Sequence, residues 1–268
     1  MDHKMKELLL SAINASLKAG EEILNVYQSD FAVEHKDDRS PLTLADKKAH
    51  TVICSTLEPL EIPVLSEEGK NTDYSERSKW PYFWMVDPLD GTKEFIKRNG
   101  EFTVNIALIH KQKAVLGVIY VPVTNVLYFA AEGIGSFRSD VKHGSFGFAG
   151  LQEVLDTSHK LPLKNENVKF TVVASRSHLS EETEMFIDGL KTTHKEVEFI
   201  SSGSSIKLCL VAEGKADVYP RFAPTMEWDT AAGQAICEIS GKTVIDYSTN
   251  TPLLYNKENL LNNWFIVQ

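Results

Sequence analysis

Apolar side chains recur at near-helical spacing from the start of the chain. Leu8, Leu9, Ile13, Leu17, Ile23, Leu24 and Tyr27 share one face, and the spacing predicts a long amphipathic helix over 5–27. A polar stretch at 35–40 interrupts the pattern. Helical spacing resumes after Pro41, a residue suited to a first helical turn, and continues to Leu60. Short apolar runs follow. Residues 62–66 and 82–86 read as buried strands, the first ending in Glu67-Glu68-Gly69, with a polar, breaker-rich loop over 70–80 between them. The β-rich runs 102–110, 114–121 and 126–131, separated by turn signals, predict an antiparallel meander. Beyond an irregular stretch at 139–166, strand and helix alternate: strand 169–174, helix 181–190, strand 198–201, helix 206–213, a short strand 217–219, and a helix from near Asp229 to Gly241.

This order predicts a layered α/β fold: helices plus an antiparallel sheet over 1–160, and an alternating α/β subdomain over 161–268. A chain of 268 residues supports a sizeable core, and the two parts are expected to form one integrated unit.

Composition narrows the function classes. The net charge is −9 and no run of five or six basic residues occurs, which argues against a nucleic-acid polymer as partner. Apolar runs are broken well before the ~18 residues of a membrane span. Met1-Asp2-His3-Lys4 has none of the features of a secretory leader. Cys54, Cys209 and Cys237 form no CxxC pair, sit in apolar stretches and read as buried, reduced thiols, in keeping with a cytoplasmic protein. The eight histidines show no metal-ligand pairing, so zinc is not expected. Neither GxSxG nor GxxxxGK[ST] is present, and Gly133-Ile134-Gly135 reads as a hairpin turn.

The chemistry-bearing residues are acids at element ends: Glu67-Glu68 after one strand, Asp87 and Asp90 after another, and Asp229 at the start of a helix. In Asp87-Pro88-Leu89-Asp90-Gly91-Thr92, Pro88 stiffens the chain, and two carboxylates and the Leu89 carbonyl can face one volume suited to Mg²⁺. Thr92 opens a helical turn whose free N–H groups suit a phosphate. An isolated DPxD is more often a surface turn; a preceding buried strand and two further acidic sites tip the reading toward a metal site.

Together, Glu67-Glu68, Trp84-Met85-Val86-Asp87-Pro88-Leu89-Asp90-Gly91-Thr92-Lys93-Glu94-Phe95 and Glu227-Trp228-Asp229-Thr230-Ala231-Ala232-Gly233 resemble the inositol monophosphatase superfamily of metal-dependent, lithium-sensitive phosphatases. Within it, Lys93-Glu94-Phe95 and the run Ser204-Ser205-Ile206-Lys207-Leu208-Cys209 are similar to the 3′(2′),5′-bisphosphate nucleotidases of sulfate assimilation. The resemblance implies an αβαβα sandwich, two or three Mg²⁺ ions, and hydrolysis of adenosine 3′,5′-bisphosphate to AMP and phosphate. It implies Glu67, Asp87, Leu89 (carbonyl), Asp90 and Asp229 as metal ligands, and Asp46 and Thr92 as the pair orienting the attacking water, with Glu67 beside them. Glu67, Leu89, Asp90, Gly91, Thr92, His178, Ser204, Lys207, Arg221 and Asp229 are the implied substrate contacts, and Glu68 a supporting acid. An inositol or sugar phosphatase of the same superfamily, and a non-catalytic nucleotide-binding regulator, stay open as alternatives. So do oligomeric state and peripheral association with the inner membrane.

Overall fold

The computed structural model describes residues 2–29, 41–145, 147–164, 169–174 and 180–268. The expected loop at 35–40 and the site residue His178 lie outside these. The first layer is α1 (Asp2–Tyr27) and α2 (Pro41–Leu57), at the places that helical spacing predicts. Their apolar faces cover one side of a seven-stranded sheet. Its strands are β1 (Val64–Ser66), β2 (Tyr82–Asp90), β3 (Thr103–His110), β4 (Lys113–Val121), β5 (Val126–Ala131), β6 (Gly135–Asp140) and β7 (Ser158–Lys160), in sequential order. Within this sheet only the β1–β2 pairing is parallel; β2 to β7 form a meander, the three expected strands extended by β2 on one side and by β6 and β7 on the other.

Three short helices complete this part: α3 (Tyr74–Arg77) in the stretch expected to be loop, α4 (Thr92–Ile96) after Gly91, and α5 (Leu151–Asp156) in the stretch without a pattern. Of these only α4 was foreseen, as a helical turn. Runs of four to six residues carry too few turns for periodicity to register. The back half supplies β8 (Phe170–Ala174), α6 (Glu181–Thr193), β9 (Val197–Ser201), α7 (Ile206–Glu213), β10 (Tyr219–Arg221), α8 (Glu227–Ile239), β11 (Val244–Asp246) and β12 (Phe265–Val267). The strand expected at 217–219 begins two residues later, and the last helix starts at Glu227, which places Asp229 inside its first turn.

Two apolar cores lie on opposite faces of the large sheet. One joins α1 and α2 to Trp84, Val86, Ile106 and Phe129; the other joins α7 and α8 to Met85, Ala107, Ile119 and Ala130. Such alternation along each strand is what a sheet buried on both faces requires. At Gly117 of β4 an added Cβ would collide with the Ala232 carbonyl, so α8 lies directly on the sheet backbone through its small-residue face. Beyond α7 and α8 come the smaller sheets β10–β12–β11 and β8–β9, bridged at Val172 and Val218, and then α6 against β10. The order of layers is α, β, α, β, α. Cys209 and Cys237 are buried as expected, whereas Cys54 is only half-buried. Among the described residues no helix is long and apolar enough to cross a membrane.

Candidate active site

The site grows from strand ends. The parallel register of β1 and β2 pairs Ser66 with Val86, and the Glu67 N–H donates to the Val86 carbonyl at 3.1 Å. Glu67 and Asp87 therefore leave adjacent strands side by side. The Asp87–Asp90 stretch, expected to be a turn, is instead the end of β2: Asp87 pairs with Asn105 and Asp90 with Thr103. Three steps on β2 thus oppose two on β3, a bulge of one residue. On a regular strand, side chains three apart point to opposite faces; the extra residue returns Asp90 to the side of Asp87. The Leu89 N–H donates to Asp87 Oδ1 at 3.0 Å and fixes that carboxylate. Asp229 enters from α8, where its Oδ2 accepts the Met226 N–H at 2.8 Å, a side chain capping its own helix. One ligand oxygen from each of Asp87, Asp90 and Asp229 falls within 4.8 Å of the others.

Packing acids this closely is unfavourable for their charged forms, and their proton affinities record it. Burial pushes the Asp87 carboxyl far above the ordinary carboxylate range, with Asp90, Glu67 and Asp229 adding repulsion. Asp229 is pushed up to about 8, by burial and then by Asp90. On the neighbouring helix α2, Asp46 is likewise pushed up to about 8, by burial and by Glu68 and Glu67. Glu67 keeps exposed surface at the lip of the site, yet its carboxyl is raised by burial and by Asp90. Asp90 is raised by burial but relieved by Lys207 and by the Ser205 N–H, which it accepts at 2.7 Å. The donor set is all carboxylate oxygen, with neither thiol nor imidazole in the cluster, so it fits hard divalent cations that would replace the protons.

The facing wall is irregular and hydroxyl-rich. Thr103 Oγ1 meets both Ser204 Oγ and Ser205 Oγ at 2.8 Å; Ser205 Oγ donates to Asn105 Oδ1 at 2.7 Å; and the Gly203 N–H donates to Glu101 at 3.0 Å. These bonds staple the turn before α7 to the beginning of β3. Ser204 itself sits at φ 47°, a left-handed conformation unusual for a residue with a side chain. Lys207 is buried; its ammonium donates to the Ser204 carbonyl at 2.6 Å, and burial pushes it down to about 8 against the pull of Asp90. Arg221, expected on a loop, ends β10; it donates to the Pro224 carbonyl at 3.0 Å, while its buried Nε has no hydrogen-bond partner among the described residues. Acids and cations thus face one another across one cleft.

Of the residues named from sequence, Asp90, Gly91, Ser204, Lys207, Arg221 and Asp229 line this cleft, and Asp87 closes its floor. Gly91, at φ 98°, lies where an added Cβ would meet Glu101, Phe102 and Ser204 at 3.2 Å. Thr92 is exposed at the start of α4, which is a single short turn held by the Tyr27, Phe95 and Phe102 rings. Among the described residues no hydrogen bond joins Thr92 to Asp46, although α2 and α4 are neighbours. Glu68 is exposed. Sequence reasoning missed Thr103, Ser205, Tyr219 and Thr225; isolated hydroxyls carry no motif, and the β2 bulge that sets Thr103 beside Asp90 is a property of strand pairing.

Comparison with known proteins places this geometry in context. The model of the inositol monophosphatase family matches residues 4–264. A 3′(2′),5′-bisphosphate nucleotidase CysQ of Salmonella typhimurium is 45% identical over 253 residues, covering 93% of this chain and 94% of that protein. The CysQ protein of Haemophilus influenzae is 33% identical over 271 residues. The crystal structure of CysQ from Bacteroides thetaiotaomicron, a bacterial member of the same family, superposes with a TM-score of 0.93 at 55% identity, covering 98% of this chain and 97% of that one. An inositol monophosphatase from Zymomonas mobilis shares the fold, at a TM-score of 0.73 and 19% identity over 97% of this chain and 92% of that one.

Proposed function

From its membership of the inositol monophosphatase family, to which this chain belongs, we propose that it hydrolyses the 3′-phosphate of adenosine 3′,5′-bisphosphate to AMP and inorganic phosphate. The observation that carries this reading is the division of charge in the cleft. A triad of carboxylates suits cations that grip the reacting phosphate, and Lys207 with Arg221 suits a second phosphate on the same substrate. An inositol monophosphate has no second phosphate for those cations.

Glu67, Asp87, the Leu89 carbonyl, Asp90 and Asp229 would hold two or three Mg²⁺ ions, which would supply neutralisation of the phosphoryl oxygens and of the leaving 3′-oxygen. The chain's own groups orient and transfer protons. The Thr92 hydroxyl holds the attacking water, and Asp46, in its ionised form, accepts the water's proton through that hydroxyl. Glu67 stands next to them on the lip. The new P–O bond forms to water, the bond from phosphorus to the 3′-oxygen breaks, that oxygen takes up a proton from solvent, and Asp46 returns to solvent the proton it accepted. The N–H groups of Gly91 and Thr92 hold the reacting phosphate; Ser204, Lys207, Arg221 and His178 hold the rest of the nucleotide. Segments 1–160 and 161–268 act as one catalytic unit, since the acids come from both. The reading carries with it a cytoplasmic setting.

Phosphate release from adenosine 3′,5′-bisphosphate and from inositol 1-phosphate, with Mg²⁺ and with added Li⁺, tests it. Faster release from the nucleotide, inhibited by Li⁺, is expected. Preference for inositol phosphate would move the chain to another branch of the family, and no release from either would overturn an enzymatic role.

A further inference from the structure

We infer that Arg77, Asn256 and Glu227 form a buried brace that sets Asp229 against the acids at the ends of β1 and β2, and are positioning residues for the site. This rests on the reading of Asp87, Asp90 and Asp229 as cation ligands. None of the three brace residues lines the cleft. Arg77 belongs to α3, inside the connection between β1 and β2, the strands that carry Glu67 and Asp87. It is 3% exposed and pairs with no carboxylate among the described residues. Its Nη1 donates to Asn256 Oδ1 at 2.6 Å and its Nη2 to the Glu258 carbonyl at 2.8 Å, while Asn256 Nδ2 donates back to the Arg77 carbonyl at 2.8 Å. The Arg77 guanidinium carbon also lies 4.9 Å from the centre of the Tyr74 ring, so the buried charge is met by a ring face and neutral oxygens and by no carboxylate among the described residues, an incomplete return for the solvation it gives up.

Asn256, held at φ 67°, passes the constraint on. Its N–H and that of Lys257 donate to the carboxylate of Glu227, and Lys257 Nζ donates to the same group at 2.6 Å. Glu227 is fully buried and is the first residue of α8, two before Asp229. The same segment completes the helix start: the Glu227 N–H donates to the Leu260 carbonyl at 2.9 Å, and Asn262 Nδ2 donates to the Met226 carbonyl at 2.8 Å and to Thr230 at 3.0 Å. Asp87 and Asp90 share one strand, so the bulge holds them together. Asp229 belongs to another layer, and repulsion from the other two acts to push the first turn of α8 away. A continuous set of buried bonds from the β1–β2 connection to that turn opposes the push.

The test uses the full-length protein and reads Mg²⁺ affinity by calorimetry beside turnover and melting temperature. Arg77→Met is expected to raise the Mg²⁺ dissociation constant about tenfold, as loss of a partner behind a ligand does, and to lower kcat with KM for the nucleotide within about twofold. Arg77→Lys, which keeps a donor, should raise the constant less, by about threefold, and carries the test if the Met variant does not fold. Leu9→Ala, in the core on the far side of the sheet, should lower the melting temperature with Mg²⁺ affinity unchanged. A loss of melting temperature alone in both Arg77 variants, or an equal loss of affinity in Leu9→Ala, overturns the brace. A wild-type protein that binds no Mg²⁺ overturns the cation site and the brace together; one that binds Mg²⁺ with this pattern yet leaves the nucleotide intact overturns the proposed substrate and keeps the brace.

Discussion

The two walls of the cleft solve opposite problems. The acidic wall gathers groups that repel one another, and it does so with regular elements: a bulged strand, a parallel strand end and the first turn of a helix packed on the sheet. The cationic wall holds groups that attract the acids; it takes Lys207 from the first turn of α7 and Arg221 from the end of β10, and joins them to the acids through an irregular turn with Ser204 in a left-handed conformation and a chain of hydroxyls. Repulsive assembly needs stiffness, because relaxation would separate the carboxylates. Attractive assembly needs only a position for each charge, and an irregular turn is enough to set where the helix that carries Lys207 begins. The walls are electrostatically linked, since Lys207 relieves Asp90 while Asp90 holds the Lys207 charge.

The sharpest way to break the comparison is to remove one charge from the stiff wall. Asp90→Asn keeps the shape and is expected to lower kcat by at least ~10³-fold, the scale of losing a key electrostatic element of a site. Its melting temperature without Mg²⁺ should rise rather than fall, because repulsion is relieved at a site where function and stability conflict. Near-normal turnover would refute the metal-ligand assignment. The next effect is on pH. Asp229 and Asp46 hold protons up to about pH 8, well above the unfolded value near 4. Groups raised in this way contribute stability that is whole below pH 4 and is lost as pH rises toward 8. Each such carboxyl contributes a slope of up to ~1.4 kcal/mol per pH unit. Melting without Mg²⁺ should therefore fall between pH 5 and pH 9, and Mg²⁺ should flatten the trend. A melting temperature that rises over that range would contradict the clustering of protonated acids.

The stiff wall was also the more legible one. Glu67, Asp87 and Asp229 could be found in sequence because they stand where predicted elements begin or end, and hydrophobic periodicity locates those boundaries. The bulge could not be found this way; Asp87-Pro88-Leu89-Asp90 reads as a turn, and only pairing with Asn105 and Thr103 makes it a strand. The hydroxyl wall was nearly silent, since Thr103 and Ser205 lie 102 positions apart and neither carries a motif. Arg77 and Asn256, separated by 179 positions, are the extreme case. Local spacing registers elements; it does not register which loops meet.

On the cationic wall, Lys207→Met tests recognition rather than chemistry. It is expected to raise KM for adenosine 3′,5′-bisphosphate about tenfold, the value of one charge-assisted contact, with kcat changed by less. Because burial has lowered the Lys207 ammonium to about 8, the wild-type KM should begin to rise above pH 8, and the Met variant should not share that rise. Equal losses in kcat and in kcat/KM, with KM unmoved, would show instead that Lys207 serves the transition state and that the division between walls is false.

The smallest effect separates conformation from contact on the same wall. At Ser204, φ 47° costs a side-chain residue roughly 1 kcal/mol, and glycine adopts it freely. Ser204→Gly removes that strain but also the bond to Thr103, worth about 1 kcal/mol net. The two effects oppose one another, so the melting temperature should stay within a few degrees of the wild type. The freed turn would hold Lys207 less firmly, because the Ser204 carbonyl is its shortest bond. KM should then rise by about threefold, less than in Lys207→Met, with kcat unchanged. If KM rises as far as it does without Lys207, the hydroxyl wall positions the substrate as strictly as the acids do, and a loop has done what stiffness was needed for on the other side.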